Sequence, residues 1–348
     1  AGARGRRTCL VSRPAAASPW CDWLPPLADP LLAALKLDAQ RISSETFDRV
    51  VLRSADLKQQ AICDSLSPCR VVRRDALRDA LRQAARVTGR VQHREATIVD
   101  VDAAEESVTL RAENGAHCSG RVLIAADGGA SIVVRKLLRG AVPSTITSYG
   151  AVQWSAPGTK KGKGKAHVEL TVLLATNGPQ GFGYVLDYSR GLIAGLVEAA
   201  EIAVVRTRLA ELCARLKAHR ILNCDAIAGE NAMAARVLPR GAALEYETHV
   251  GKRTLVIGDA GGFVSALSQD GLYPSLEAAR LAAQTVHEAL DEPHEQDVLS
   301  RFDAAWRPVL ADYLRIPGTD LKFLMPLVFT NQAVAEKMVR GFLYGENM

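Results

Sequence analysis

Aromatic residues are scarce, at 5% of the 348 residues. A protein that holds single-stranded nucleic acid needs aromatic faces for stacking beside a concentrated basic surface. Here the net charge is only +5, and the basic residues, mostly Arg, are scattered, so no nucleic-acid partner is expected. Long apolar runs are also missing. The longest, Phe323-Leu324-Met325-Pro326-Leu327-Val328-Phe329, is far short of the roughly 20 residues that span a bilayer; peripheral membrane contact stays open without being indicated. No C-x-x-C pair occurs among the seven cysteines (Cys9, Cys21, Cys63, Cys69, Cys118, Cys213 and Cys224). An odd, dispersed set provides neither a zinc site nor a disulfide framework, so a reducing, cytoplasmic setting with no metal is the expectation. The start has no secretory leader pattern, and residue 1 is Ala rather than Met.

What is present is an ordinary globular composition, 48% hydrophobic and 23% charged, with enough apolar material for a sizeable core. The length suits one large domain or two. The most informative stretch is Leu255-Val256-Ile257-Gly258-Asp259-Ala260-Gly261-Gly262-Phe263, continuing through Asp270-Gly271-Leu272 into an alanine-rich run at 276–289. It reads as a short apolar strand, an acid at its end, a glycine-rich turn and a helix. That order brings backbone close to a flat, polyhydroxylated cofactor. The Asp259 carboxylate can accept hydrogen bonds from such a cofactor's hydroxyls, Gly261 and Gly262 permit close approach and positive φ, and the helix can aim its positive N-terminal end at the turn's occupant. The plain alternative is an ordinary strand–helix turn with an Asp at its tip. A second stretch of this kind comes earlier. Arg121-Val122-Leu123-Ile124-Ala125-Ala126 runs into Asp127-Gly128, a small-residue turn and a basic helix start at Arg135-Lys136.

Together and in this order, the two motifs resemble the flavin-contacting segments of FAD-dependent oxidoreductases with the p-hydroxybenzoate hydroxylase fold. Gly-Asp-Ala-Gly-Gly-Phe-Val is most similar to the geranylgeranyl reductase branch of that group. The resemblance implies FAD as cofactor, NAD(P)H as a candidate electron donor and a small-molecule substrate. It also implies an α/β (α+β) architecture: a Rossmann-like FAD-binding domain interleaved with an antiparallel-sheet substrate domain and a C-terminal helical cap. On its terms the cofactor contacts fall to Arg13, Arg74, Asp127, Gly128, Gly258, Asp259, Ala260, Gly261, Gly262, Phe263, Gly271 and Leu272. Asp127 would touch the pyrophosphate region. Arg74, at a helix start, would approach the ribityl chain and phosphates, or else is a solvated helix-end arginine.

The chain departs from the resembled pattern in several places. The family opens with a strand, a G-x-G-x-x-G turn and a helix, then a second strand ending in Glu-Arg, whose acid holds the adenosine ribose. Ala1–Arg7 matches only the tail of that helix, and Ser12 stands in the acid's place before Arg13. The turn is expected either upstream of Ala1 or lost. Asp22 replaces a glycine after Cys21, itself either a residue near the flavin ring or a small buried hydrophobe. An extra Val displaces the helix-start arginine to Arg135. Gly181-Phe182-Gly183-Tyr184 aligns with a cavity-lining strand but carries Tyr184 for a Trp. The usual Pro-x-x-Gly-x-Gly loop keeps only Gly271, with Ala266 and Gln269 in the other places. Asp270 would oppose an anionic flavin edge unless it turns away to cap the helix.

Along the chain, strands are expected at Thr8–Val11, Phe47–Arg53, Ala61–Ile62, Val91–Val101, Val108–Arg111, Gly150–Ala156, Ala166–Ala175, Gly183–Tyr188 and Leu192–Glu198. Apolar spacing predicts helices at Leu31–Leu35, from Arg74 to Val87, over Ile202–Arg220, 276–290 and 295–314, and in the final segment. The division expected is 1–42, 71–142 and 237–290 for the FAD-binding parts, 43–70 and 143–236 for the substrate parts, and 291–348 for the helical region. Gly158–Lys165 reads as a charged, glycine-rich hairpin tip or an anion site.

No Ser/His/Asp triad or metal cluster is apparent, and Tyr184 and Tyr273 are the candidate proton donors. The leading expectation is an FAD-dependent reductase or dehydrogenase acting on an apolar or isoprenoid-like small molecule. The alternatives are a flavin-dependent aromatic monooxygenase using NAD(P)H and O2, and a degenerate, non-catalytic member that binds flavin weakly or not at all. Oligomeric state is not legible.

Overall fold

Strands Leu123–Ala125 and Thr254–Val256 run parallel, with Ala125 opposite Val256, and the Ile257 N–H donates to the Ala125 carbonyl over 2.9 Å. Val250–Gly251 pairs antiparallel on the outer side of Thr254–Val256. In this computed structural model the described residues are 4–14, 20–38, 42–43, 45–139, 141, 148–157, 168–176, 181–189, 191–222, 233–239, 242–315, 318 and 320–347. A second parallel pair, Thr8–Ser12 with Val91–Glu95, completes the parallel pairing of this half.

Helix Leu272–Ala289 covers these strands. Ala278, Leu281, Ala282, Val286 and Ala289 recur at three- and four-residue spacing, so one stripe faces the core. It meets Leu255, Ile257, Phe263, Phe302, Trp306 and Leu310 in one apolar cluster. The single helix expected over 295–314 is two, Glu295–Leu299 and Phe302–Leu314. At the break, Ser300 Oγ donates back to the Gln296 carbonyl over 2.8 Å, the kind of local bond that competes with a continuing helix.

The strand expected over Val91–Val101 is also two. Ala96 N–H bonds to the Ser12 carbonyl at the end of one ladder. Ile98–Ala103 then opens a meander with Val108–Ala112 and His117–Gly120, whose turn at Gly115 takes φ +81°.

The other half is a seven-stranded sheet in the order Ala234–Pro239, Ser148–Pro157, Gly191–Glu198, Phe182–Tyr188, Glu169–Leu174, Val50–Ser54 and Gln60–Cys63. Every neighbouring pair is antiparallel except Val50–Ser54 with Glu169–Leu174. Helix Ile202–Ala218 lies on one face, packing Val205, Leu209 and Leu212 against Trp154, Val185 and Leu196. The other face meets strand Cys21–Leu24 and helix Gln332–Tyr344 through Trp23, Phe182, Tyr184 and Phe342. Cover on both faces explains why all eight residues of Gly191–Glu198 are buried and why its first seven read as a continuous apolar run. Gly158–Lys165, expected as a hairpin tip or an anion site, and Cys224 lie outside the described residues. No helix among the described residues is long and apolar enough to cross a membrane.

Candidate functional site

The turn after Thr254–Val256 is a 3-10 turn, Gly258–Gly261, ending at Gly262 with φ +70°. A Cβ on Gly262 would stand 2.6 Å from the Ala243 nitrogen, so both the dihedral and the space demand glycine. Gly258 also has positive φ, +62°. Gly261 does not; its constraint is contact, since a Cβ there would meet the Phe263 ring at 2.8 Å. Ala260 and Phe263 are buried. His249 braces the turn from below: one ring nitrogen lies 2.9 Å from the Gly261 carbonyl and the other 3.1 Å from Asp303.

Asp259 emerges from this turn partly exposed, and Arg236 Nη2 donates to its Oδ2 over 3.0 Å. Its Oδ1 lies toward Gly271, where a Cβ would approach it to 3.1 Å. Asp270 turns its carboxylate onto the helix start and Tyr313. Its Oδ1 accepts from the Leu272 N–H at 2.8 Å and its Oδ2 from the Tyr313 hydroxyl at 2.7 Å. Burial nevertheless pushes its carboxyl up to about 6. The first N–H of helix Leu272–Ala289 is therefore already engaged. Beside it, Gln269 has φ +55°, and its Oε1 is a buried acceptor with no hydrogen-bond partner.

A line of alternating charge runs from this point. Arg236 lies over the Trp20 ring at 5.3 Å, Trp20 Nε1 donates to Asp22 Oδ1 at 2.9 Å, and Asp22 Oδ2 accepts from Arg74 Nε. Burial lowers the pKa of Arg236, and the nearby Arg74 lowers it further. Burial works against the charge on Arg74 as well, but Asp22 outweighs it and raises that pKa. One departure noted in the sequence thus has a physical consequence for an expected contact residue. Asp22, standing where the resembled branch has glycine, is the partner of Arg74.

Across from the charges, Tyr184 and Gln153 come from the seven-stranded sheet. A cavity of about 30 Å³ lies between, lined among others by Asp22, Trp23, Tyr184, Arg236, Gln269 and Asp270. A larger cavity of about 380 Å³, with Arg53, Glu169, Asp187 and His219 on its wall, shares no residue with it and lies away from both strand tips.

The remaining candidates fall elsewhere. Asp127 is exposed, with Ser131 Oγ donating to one oxygen at 2.6 Å and the Ile132 N–H to the other at 2.9 Å, bracing the start of helix Ile132–Leu137, whose N-cap is Ser131. Gly128 takes φ +84°, and Arg135 bonds the Ala130 carbonyl. Arg13 is exposed beyond the Thr8–Ser12 strand, where Ser12 meets His93 and Arg82. Tyr273 packs edge-on against Tyr313 at 4.9 Å inside the core cluster, outside the cavity's lining. Cys21 is 2% exposed, and burial pushes its thiol up to about 12, as suits a small buried hydrophobe. Arg236, Gln153 and the His249–Asp303 pair were not singled out from the sequence.

No protein-family model matches the sequence, and neither does any curated protein. Solved structures do. A geranylgeranyl bacteriochlorophyll reductase-like protein (Ta0516) from Thermoplasma acidophilum is similar with a TM-score of 0.72 at 14% identity, over 99% of this chain and 92% of that one. The flavin-dependent brominase Bmp2, as a triple mutant, gives 0.70 at 17% identity over 99% and 89%. PqsL of Pseudomonas aeruginosa, described as a probable FAD-dependent monooxygenase, gives 0.67 at 17% over 97% and 94%. The strand tips, the interleaved sheets and these likenesses agree: the chain has the fold of FAD-dependent oxidoreductases of the p-hydroxybenzoate hydroxylase type.

Proposed function

We propose that this protein is an FAD-dependent oxidoreductase acting on an apolar small molecule held between the seven-stranded sheet and the Asp259 turn. The observation that carries this is the pairing of Ala125 with Val256, which places the Asp127 and Asp259 segments at neighbouring strand ends. The residues suit a flavin on three counts. Asp259 keeps Oδ1 clear of its bond to Arg236, Gln269 Oε1 is an orphaned buried acceptor suited to a ring N–H, and Gly271 admits a close approach that a side chain would fill. Bound FAD would supply the two-electron chemistry, leaving the protein to bind and orient.

Volume sets a condition. About 30 Å³ is more than a water needs but does not hold a tricyclic ring. Arg236 lines that space and is bonded to Asp259, so a bound FAD would need this side chain displaced. Trp23, Phe182 and Tyr184 then exclude water on the substrate side. Isoprenoid-like and aromatic substrates both suit an apolar wall. The aromatic lining of Trp20, Trp23, Phe182 and Tyr184 favours the second reading, a monooxygenase using NAD(P)H and O2. The bond between Asp22 and Arg74 favours a third, a scaffold with weak flavin affinity. The cytoplasmic setting and the residue division given above are part of the proposal.

The visible spectrum of the purified protein with added FAD tests it. Bands near ~370 and ~450 nm that stay with the protein through gel filtration are expected; their absence contradicts it. Anaerobic turnover then marks a reductase, and NAD(P)H consumption coupled to a hydroxylated product marks a monooxygenase.

A further inference from the structure

We infer, resting on the flavin-site reading for the role of the Asp259 turn, that His249 donates from both ring nitrogens at once and is the positioning residue that fixes this turn for the cofactor. His249 is fully buried. Its Nε2 lies 2.9 Å from the Gly261 carbonyl. A carbonyl oxygen only accepts, so Nε2 carries a proton. Its Nδ1 lies 3.1 Å from Asp303 Oδ1. That carboxylate already accepts on both oxygens: Oδ1 takes the Trp306 Nε1–H at 3.0 Å, Oδ2 takes the Thr248 hydroxyl at 2.6 Å, and the His249 backbone N–H reaches each at 3.2 Å. Burial works against the charge on Asp303, yet these bonds outweigh it and keep the carboxylate ionised. An ionised carboxylate has no proton to give, so Nδ1 is a donor as well. The ring is an imidazolium paired with one carboxylate.

The surroundings suit a buried cation. Tyr246 stacks on the imidazole with ring centres 5.1 Å apart, and Phe263 and Trp306 lie at 4.8 and 5.0 Å. Aromatic rings at this range attract a cation, and a buried charge is tolerated when it is both paired and hydrogen-bonded. What the arrangement holds is the turn. Asp303 sits on helix Phe302–Leu314, and His249 joins it to the Gly261 carbonyl, two residues beyond Asp259. The Tyr246 hydroxyl donates to the neighbouring Ala260 carbonyl at 3.1 Å. Two successive carbonyls of the turn are thus tied back, and the place of the Asp259 carboxylate is set by groups other than itself. A ring with a single N–H would leave a lone pair facing either Asp303 or Gly261, and one of the two ties would be lost.

Two measurements need no flavin. In a long-range 1H–15N spectrum of the wild type at pH 7, His249 is expected to show a proton on both ring nitrogens, its signals being assigned by their loss in H249N. A histidine that merely fills space with one N–H does not give this signature, and the wild-type spectrum decides the point even where a variant fails to fold. The Gly262 and Phe263 amides, bonded within the turn to the Asp259 and Gly258 carbonyls, are expected to exchange about 10-fold faster in H249N, as loss of one hydrogen bond implies, with strand Gly191–Glu198 unchanged. With FAD, H249A is expected to bind about 10-fold more weakly than wild type. Added imidazole is expected to restore that affinity, and 1-methylimidazole, which lacks a second N–H, is not. A single N–H, unchanged exchange in the turn, unchanged FAD affinity in H249A, or an equal response to the two imidazoles would each overturn the inference. Two N–H signals and a loosened turn in H249N, beside no FAD binding by the wild type, remove the flavin reading alone. Intact FAD binding beside a single N–H removes this inference alone.

Discussion

Asp127 follows Ala125 by two residues and Asp259 follows Val256 by three, and Ala125 and Val256 are register partners on adjacent parallel strands. The two acids therefore leave one sheet side by side. Their carboxylates do different work. Both oxygens of Asp127 are given to Ser131 and Ile132, whereas Asp259 binds the Arg236 side chain.

Asp127→Ala should accordingly behave first as the loss of the bonds that hold Ser131, the N-cap, and the Ile132 N–H at the start of the helix. A destabilisation of about 1 kcal/mol is expected, seen as a lower urea midpoint with unchanged slope. No change in midpoint would show that the capping bonds carry nothing.

Gly195→Ala should be costly out of proportion to one methyl group. The added carbon meets the Tyr184 ring inside contact distance, and overpacking of this kind costs about 1–3 kcal/mol. Trp23, edge-on to Tyr184, should report the displacement as a change in its fluorescence. Wild-type stability and an unaltered spectrum would contradict the tight notch.

Asp303 gives a pH dependence. Burial works against its charge, but hydrogen bonds from His249, Thr248 and Trp306 prevail and hold its carboxyl well below the usual range. A depressed carboxylate contributes stability above its unfolded pKa and loses it as pH falls through the folded one. Asp303→Asn should cost about 1–3 kcal/mol at neutral pH, and the cost should shrink in acid below pH 4. A cost that stays constant into acid would rule the ion's role out.

Asp270 works the other way. Its carboxyl is raised from 3.8 to about 6 by burial, so between those values the unfolded chain holds fewer protons and stability falls as pH rises. Asp270→Asn preserves an acceptor for the Leu272 N–H and removes the titration. Relative to wild type it should gain stability, on the order of 2 kcal/mol, between pH 4 and 7. Parallel stability curves for the two proteins would contradict the burial of a charge-sensitive group there.

The two strand–acid–glycine units were legible because their signals are local: a Val/Leu/Ile run, then Asp and Gly within a few residues. The same holds for helices Arg74–Val87 and Leu272–Ala289, whose stripes recur within one turn. What the sequence hid is pairing at a distance. Gln153 reaches Cys21 and Arg236 reaches Asp259 across separate elements, and nothing in the neighbourhood of either residue marks its partner. Tyr184 was legible as a cavity residue only through the resemblance of Gly181-Phe182-Gly183-Tyr184 to a cavity-lining strand. Tyr273 was misleading, because in the first helical turn its ring is carried into the core against Tyr313. The breaks at Ser300 and at Ala96 coincide with local hydrogen bonds that periodicity does not register.

The most direct test of the flavin site is an FAD titration of wild type and Asp259→Ala, followed by quenching of flavin fluorescence. The account predicts saturable binding by wild type and affinity at least 10-fold weaker in the variant, as expected for losing a charged hydrogen-bond acceptor. Equal affinity in the two proteins, or no binding by wild type, would contradict it.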